Sequence, residues 1–204
     1  MGNIFRLDSP FMKFMTLITN LICVNALWIL CCIPVVTAGA ATTAMYYVVF
    51  QYITHQDDAV LKPFFKAFRE NFRGATPVWL LHLLIGAVMC AECFYLSQGA
   101  PDWLMVVFGV LLFLFVGFSS YLYPLMARYD ASPKRAVFNS VALAFRHLGT
   151  TLCVAVFNVV PYVVLLFAPE FFHKSLLFWL AGGFSLIAYL NGRMLMMAFK
   201  KHAQ

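Results

Sequence analysis

Three side chains within one apolar segment are of the types that most often carry chemistry in proteins. Cys90 and Cys93 form a C-x-x-C pair, and His82 lies on nearly the same face of a helix. Thiolates and imidazoles bind zinc, and paired thiols undergo redox chemistry. A metal site needs further ligands, the sequence has no second C-x-x-C, and free cysteine also packs as a small hydrophobe. We therefore predict no metal and no cofactor.

Glu92 and Asn158 are further polar side chains inside apolar segments. Ionisable groups in hydrocarbon are costly, so each is a functional candidate, with hydrogen-bonded packing as the alternative. His82 and Glu92 lie about 80° apart around a helix, so they need not share one cavity. Asn158 precedes Pro161, which frees a backbone carbonyl, so this pair can line a small polar cavity. We predict His82, Glu92 and Asn158 as intramembrane polar candidates.

The sequence contains none of the common catalytic motifs. HExxH, GxSxG, the Walker lysine loop and GxGxxG are all missing. No apolar segment holds a pair of carboxylates for acid–base work. We expect that the chain is not an enzyme, with an intramembrane enzyme built on an unfamiliar set of residues as a distant alternative.

Composition places the chain in a bilayer. Of its 204 residues, 63% are hydrophobic and only 11% are charged, whereas soluble domains carry roughly a quarter charged residues. This excludes a soluble enzyme, a nucleic-acid-binding protein and a disordered chain. The six cysteines all lie in apolar segments, which argues against a disulfide framework.

Six apolar segments approach the roughly 20 residues that a membrane-spanning helix needs. They cover residues 12–33, 36–54, 75–96, 103–126, 149–168 and 175–198. We predict one all-α polytopic membrane domain over 1–204, with six transmembrane helices in three hairpins. The second segment is rich in small residues, which favours an internally packed helix or a re-entrant start. Pro34, Thr37 and Gly39 are assigned to packing in that segment.

With six spans and an N-terminus in the cytoplasm, nearly all basic residues lie on the cytoplasmic side of the membrane. Of the 14 Lys and Arg residues, all but Lys174 then lie on the cytoplasmic side, as the positive-inside rule requires. This set comprises Arg6, Lys13, Lys62, Lys66, Arg69, Arg73, Arg128, Lys134, Arg135, Arg146, Arg193, Lys200 and Lys201. We predict both termini in the cytoplasm and outer links near 34–36, 97–102 and 169–174.

Two cytoplasmic connectors, at 59–73 and 134–147, are predicted to be basic amphipathic helices. The candidate docking residues are Lys62, Phe64, Phe65, Lys66, Phe68, Arg69, Phe72 and Arg73 in the first and Arg135 and Arg146 in the second. Matching patterns 73 residues apart indicate a parallel repeat of 55–127 and 128–200. Such helices either lie on anionic lipid headgroups or dock a cytoplasmic partner.

The first 80 residues or so carry motifs of a known family. In chain order, these motifs are Phe5-x-x-Asp8-Ser9-Pro10-Phe11-Met12, Asn25-x-Leu27-Trp28, Pro34-Val35-Val36-Thr37-x-Gly39-Ala40, Ala44-x-Tyr46 and Phe64-Phe65-Lys66-x-Phe68-Arg69-x-Asn71-Phe72. These motifs resemble the YesL family of uncharacterised bacterial integral membrane proteins. The resemblance implies a plasma-membrane protein often encoded near sugar-uptake ABC transporters and carbohydrate-degrading enzymes. It supplies no catalytic or binding residues.

Two functions remain open from the sequence. The first is an accessory or permease-like component of carbohydrate uptake that docks a partner, such as ABC sugar-transporter subunits, through the basic connectors. The second is a structural or regulatory membrane protein that binds lipids and partners without moving a solute. A polar cavity lined by Trp and Tyr would favour the first function, and a closed apolar bundle would favour the second.

Overall fold

The computed structural model describes residues 10–55, 59–96, 98–99, 101–129 and 133–200, and these residues are helical apart from short connections. The helices are α1 (Pro10–Cys32), α2 (Ala38–His55), α3 (Leu61–Leu96), α4 (Asp102–Arg128), α5 (Pro133–Arg146), α6 (Leu148–Phe167), α7 (Pro169–Lys174), α8 (Leu176–Phe178) and α9 (Phe184–Lys200). A 3₁₀ turn at Val35–Thr37 precedes α2, and a π-helical turn at Trp179–Gly183 precedes α9. The motif residues Phe5, Asp8 and Ser9 and the cations Arg6 and Lys201 lie outside the described residues.

Helix α2 is the centre of the bundle. Nearly every residue from Gly39 to Phe50 is buried, and α2 packs against α1, α3, α4 and α9. Its small residues allow this, because Gly and Ala let neighbouring helices approach closely. The internally packed helix predicted for residues 36–54 is therefore present.

Helix α3 differs from the sequence prediction. The amphipathic connector at 59–73 and the apolar segment at 75–96 form one continuous helix of 36 residues, about 54 Å long. The sequence has Gly74 and Pro77 at this junction. Neither ends the helix. The connector is thus the first half of α3 rather than a separate helix.

The second predicted connector does form its own helix, α5. It joins α6 at a bend of 110°, so the two halves of the proposed repeat differ in shape at this junction. The last predicted segment, 175–198, is also interrupted, since α8 and the π-helical turn precede α9. The repeat of 55–127 and 128–200 stays a prediction.

Apolar helices of membrane-spanning length indicate an integral membrane protein. Among the described residues, α1, α3 and α4 qualify by length and composition, and the bent pair α5–α6 brings the number to at most four. Six spans in three hairpins stay a prediction. The outer parts of α3 and α4 pack loosely, because no residue from Pro77 to Tyr95 and none from Pro101 to Val116 is buried.

Candidate functional site

A cavity of about 350 Å³, partly open to the outside, lies between the helices of the bundle. Helices α1, α2, α3, α4, α6 and α9 all contribute to its wall. Its polar and aromatic lining residues are Trp28, Thr42, Tyr46, Trp79, His82, Phe115, Ser119, Ser120, Tyr123, Asn158 and Phe184. Ligand pockets in proteins have volumes of roughly 300–1,000 Å³, so this cavity is large enough for a small molecule.

Aromatic rings form much of the wall and are held in fixed orientations. Trp28 Nε1 donates a hydrogen bond to Thr42 Oγ1 at 3.1 Å, and Trp79 Nε1 donates to the carbonyl oxygen of Val35 at 2.7 Å. The Trp79 ring stacks on His82, with ring centroids 5.7 Å apart. Because the indole N–H groups are already bonded to the protein, these residues present their ring surfaces to the cavity.

His82 lies deep in this aromatic group. Its ring contacts Phe115 at a centroid distance of 4.6 Å and Tyr123 at 6.2 Å. Its Nδ1 atom is 3.3 Å from Ser119 Oγ. This serine also donates to the carbonyl of Phe115 at 2.6 Å, so its oxygen can accept a hydrogen bond from the imidazole N–H. The histidine is thus held by hydrogen bonding and ring contacts.

Three polar side chains join α4, α6 and α9 beside the cavity. Asn158 Nδ2 donates to Ser120 Oγ at 2.9 Å, and Asn191 Nδ2 donates to Asn158 Oδ1 at 2.8 Å. Asn191 is completely buried. These bonds fix the Asn158 amide at the cavity wall and leave it one further N–H and one further oxygen lone pair.

Tyr123 lines the same cavity. Its side chain is only 7% exposed, and its hydroxyl has no hydrogen-bond partner among the described residues. The hydroxyl oxygen is buried, so the residue lines the cavity through its ring. A buried hydroxyl without a partner costs about 1–3 kcal/mol.

The cavity wall is uncharged apart from the titratable His82. No Lys, Arg, Asp or Glu is found among the lining residues that the structure describes. A net charge on a ligand would therefore have no countercharge there, and burying an unpaired charge is expensive. The wall matches a neutral ligand that has both apolar faces and hydroxyl groups.

Asn25 supports one side of the cavity. It is fully buried, its Nδ2 donates to the carbonyls of Trp179 at 3.0 Å and Leu180 at 2.8 Å, and its Oδ1 accepts from the backbone N–H of Ser185 at 3.1 Å. The π-helical turn at Trp179–Gly183 is thus tied to α1. This places Phe184, whose ring contacts Trp28 at 5.0 Å, against the cavity.

Two of the three predicted intramembrane polar residues line the cavity, and the third lies away from it. His82 and Asn158 line the cavity together with Pro161, whereas Glu92 is exposed on the outer half of α3. Cys90 and Cys93 are free and exposed near Glu92. Within the described residues, no three His, Cys, Asp or Glu side chains are grouped to hold a metal ion.

The predicted docking residues of the first connector do not share one environment. Lys62, Phe65, Lys66, Arg69, Phe72 and Arg73 are exposed on the first half of α3. Phe64 is completely buried and Phe68 packs against the core. Grouping Phe64 with surface residues was wrong, because one edge of the aromatic face turns inward against the bundle.

The second connector is exposed on two sides. Arg135 and Arg146 are exposed, as are Phe138 and Phe145, at 75% and 56%. Ala136, Ser140 and Ala144 face the bundle instead. Helix α5 thus packs through small residues and leaves its cations and large apolar side chains outside.

The residues assigned to packing lie where α1, α2 and α3 meet. A Cβ atom on Gly39 would be 2.5 Å from Trp79 Cβ and 3.0 Å from the carbonyl oxygen of Ala75. The Thr37 hydroxyl bonds the carbonyls of Cys31 and Pro34, which closes the turn between α1 and α2. Pro34 is itself exposed in that turn.

Sequence reasoning did not identify most of the cavity wall. Trp28, Trp79 and Tyr123 line the cavity but were not predicted as site residues. Trp and Tyr are common at the interfaces of membrane proteins, so their presence alone did not indicate a cavity. The sequence does place Tyr123 shortly after Ser119-Ser120 in an otherwise apolar segment.

Part of the chain is similar to a family of unknown function. Residues 21–93, which include most of α1–α3, match the family described as "Protein of unknown function, DUF624". The chain is also 27% identical over 143 residues to the "Uncharacterized protein YteU" of Bacillus subtilis (strain 168), covering 67% of this chain and 64% of that protein. The chain thus spans somewhat less than two thirds of its relative's length.

No solved structure matches this chain. The resemblance to the YesL family rests on the sequence motifs, because neither match bears that name. The comparisons therefore show an apolar helical protein similar, through α1–α3, to a family of unknown function.

Proposed function

We propose that this chain is a permease-like or accessory membrane component of carbohydrate uptake that holds a neutral sugar in its central cavity. The observation that carries the proposal is the character of the cavity wall, where the rings of Trp28 and Trp79 lie with the Asn158 amide and no Lys, Arg, Asp or Glu is found among the described lining residues. Such a wall, mostly apolar with a few polar groups, is typical of small-molecule sites.

The chemistry of the wall supports a sugar. Pyranose rings have apolar C–H faces, which pack on aromatic surfaces such as those of Trp28 and Trp79. Their hydroxyl groups need hydrogen-bonding partners, and the Asn158 amide at the wall keeps one N–H and one oxygen lone pair beyond its bonds to Ser120 and Asn191. The absence of lysine, arginine, aspartate and glutamate from the described lining favours an uncharged ligand. A volume of about 350 Å³ suits one or two sugar rings.

The proposed location is the bacterial plasma membrane, with both chain ends in the cytoplasm. Six membrane-embedded segments with an even number of crossings place all basic residues except Lys174 on the inner side. The sequence has no nucleotide-binding loop, so an ATP-driven step requires another polypeptide. Subunits of an ABC sugar transporter are the partners that the family resemblance implies.

The exposed face of the first half of α3 is the proposed docking surface. It combines the cations Lys62, Lys66, Arg69 and Arg73 with the half-exposed ring of Phe65 and with Phe72. Aromatic and arginine side chains are the commonest energetic anchors of protein interfaces. Membrane lipids are the alternative partner of the same face.

Tryptophan fluorescence tests the sugar site, since Trp28 and Trp79 line the cavity. The protein in lipid nanodiscs is titrated with maltose, cellobiose and xylobiose, and with glucuronate as a charged comparison. We expect a saturable change with at least one neutral sugar and none with glucuronate. Asn158→Ala should weaken binding about tenfold, the effect of one lost hydrogen bond. Asn139→Ala, at an exposed asparagine outside the cavity, is the matched control.

Saturable binding of glucuronate alone, or equal affinity of wild type and Asn158→Ala, would remove the sugar proposal. The docking surface is tested separately by co-purification of ABC transporter subunits from native membranes. The double variant Phe65→Ala/Arg69→Ala should abolish recovery of the transporter subunits. The control Phe94→Ala, at a phenylalanine that is 72% exposed near the other end of α3, should not change their recovery. Equal recovery with both variants would refute docking through this face.

A further inference from the structure

We infer that α1 and α2 form a re-entrant hairpin, whose tip contacts the acyl chains of the cytoplasmic leaflet and does not reach the outer face. The tip is defined as residues 33–36. The inference rests on the cytoplasmic chain ends of the proposed function, and it replaces the outer link predicted near 34–36.

The position of the tip along α3 is fixed by direct contacts. Trp79 Nε1 donates to the carbonyl of Val35 at 2.7 Å. Gly39, at the start of α2, packs so closely on Trp79 that a Cβ atom there would be 2.5 Å from Trp79 Cβ. The tip therefore lies at the level of Trp79, which is 17 residues before the end of α3 at Leu96. Those residues extend α3 by about 26 Å beyond the tip.

The charges on α3 show which part of this helix lies in hydrocarbon. Lys62, Lys66, Arg69 and Arg73 are exposed on its first half, and exposed cations of this density belong in water or among headgroups. From Gly74 to Leu96 the helix has one charged residue, Glu92. Its outer half is apolar and exposed, with Leu84 and Phe94 at 62% and 72%. This half matches the roughly 30 Å thickness of the hydrocarbon core.

These two observations place the tip in the cytoplasmic leaflet. If α3 crosses the hydrocarbon between about Gly74 and Leu96, the level of Trp79 is only a few residues above the cytoplasmic boundary. An outer link at 33–36 would require the turn to lie near the level of Leu96, about 26 Å away. The contacts of Trp79 exclude that position.

The composition of the tip fits acyl chains as its partner. Ile33, Val35 and Val36 are 72%, 59% and 48% exposed, and Pro34 between them is exposed as well. The sequence has no charged residue between Lys13 and Asp57. An exposed run of four apolar residues is unfavourable in water and favourable in lipid. Two carbonyl groups of the turn are paired, since Thr37 N donates to the Pro34 carbonyl at 2.8 Å and Trp79 Nε1 donates to that of Val35, which lowers the cost of open backbone in lipid.

Site-directed labelling tests the inference in whole cells and inverted vesicles. Val35→Cys, Gln98→Cys and Lys66→Cys are made in a cysteine-free background and treated with a membrane-impermeant maleimide. We expect labelling of Gln98→Cys from outside only, of Lys66→Cys from inside only, and of Val35→Cys from neither side. A spin label at Val35→Cys should be relaxed by oxygen and not by a water-soluble nickel chelate.

Each outcome is decisive. Labelling of Val35→Cys from outside, or relaxation of its spin label by the nickel chelate, would overturn the re-entrant hairpin while leaving the cytoplasmic chain ends intact. Reversed labelling of Gln98→Cys and Lys66→Cys would instead refute the topology of the proposed function. Val36→Lys is a second variant that needs no cysteine-free protein. It should lower the folded yield severalfold relative to Gln98→Lys, and equal yields would also contradict the inference.

Discussion

The contact between Gly39 and Trp79 is a sensitive point of the fold, and Gly39→Ala perturbs it by one methyl group. The added Cβ atom would be 2.5 Å from Trp79 Cβ and 3.0 Å from the Ala75 carbonyl oxygen. Neither atom can rotate away, because one is backbone and the other is bonded directly to it. The helices α2 and α3 must therefore separate by about 1 Å, which forfeits a quarter to a half of the dispersion energy of each contact across this seam.

The cost of Gly39→Ala follows from these distances. Overpacking a tightly packed site costs about 1–3 kcal/mol, and the Trp79–Val35 hydrogen bond, worth about 0.5–1.5 kcal/mol, is weakened as well. For a protein of this size, 1 kcal/mol lowers Tm by about 2–4 °C. We expect Gly39→Ala to lower Tm by several degrees in thermal unfolding followed by tryptophan fluorescence in one detergent.

Two other glycines provide matched controls for this substitution. At Gly86 in α3 and Gly109 in α4, no atom lies within 4 Å of the position that an added Cβ would take. Alanine in a helix is favoured over glycine by about 0.5–1 kcal/mol, so Gly86→Ala and Gly109→Ala should leave Tm unchanged or raise it. A Gly39→Ala protein that melts with or above the wild type would refute the close approach of α2 and α3.

Two further substitutions test other parts of the bundle. Asn25→Leu removes the hydrogen bonds to the Trp179 and Leu180 carbonyls and to the Ser185 N–H. The substitution should therefore lower the free energy of unfolding by about 1–3 kcal/mol for each group left unpaired. A melting temperature equal to that of the control Asn139→Leu, at an exposed site on α5, would contradict this role of Asn25. Phe64→Ala should lower the free energy of unfolding by about 3–5 kcal/mol, because the ring is completely buried. Phe65→Ala, at a ring 50% exposed, should lower it much less. Similar unfolding of the two variants would show that Phe64 is not in the core.

The central position of α2 was predictable from its residues. The sequence Ala38-Gly39-Ala40-Ala41 has little side-chain bulk, and such segments pack between other helices rather than against lipid. The beginnings of α1 and α4 and the apolar character of both were also evident, because long runs without charge predict membrane helices. These features depend on local sequence alone.

The continuity of α3 and the bend between α5 and α6 were not predictable in this way. Gly74 and Pro77 at the first junction would allow a break, yet burial of Ala75 against the bundle keeps the helix intact. At the second junction His147 has no helix-breaking neighbour except Gly149, but the chain bends by 110° there. Tertiary contacts decide both cases.

The cavity could be predicted only in part. Asn158 and Pro161 indicated a polar site on α6, but the aromatic wall joins residues distant in sequence, such as Trp28, Trp79 and Phe184. Their meeting depends on how the helices cross, which periodicity does not specify. The same is true of Asn25, whose partners lie more than 150 residues away in the chain.

Protection of a cysteine inside the cavity tests the central claim most directly. Ser119→Cys and, as a control outside the cavity, Gln98→Cys are alkylated in the cysteine-free protein, with and without a saturating concentration of the neutral sugar that gives the fluorescence change. If the sugar occupies the cavity, alkylation of Ser119→Cys slows severalfold in its presence and that of Gln98→Cys does not change. An unchanged rate at Ser119→Cys under saturating sugar would show that the cavity is not the binding site.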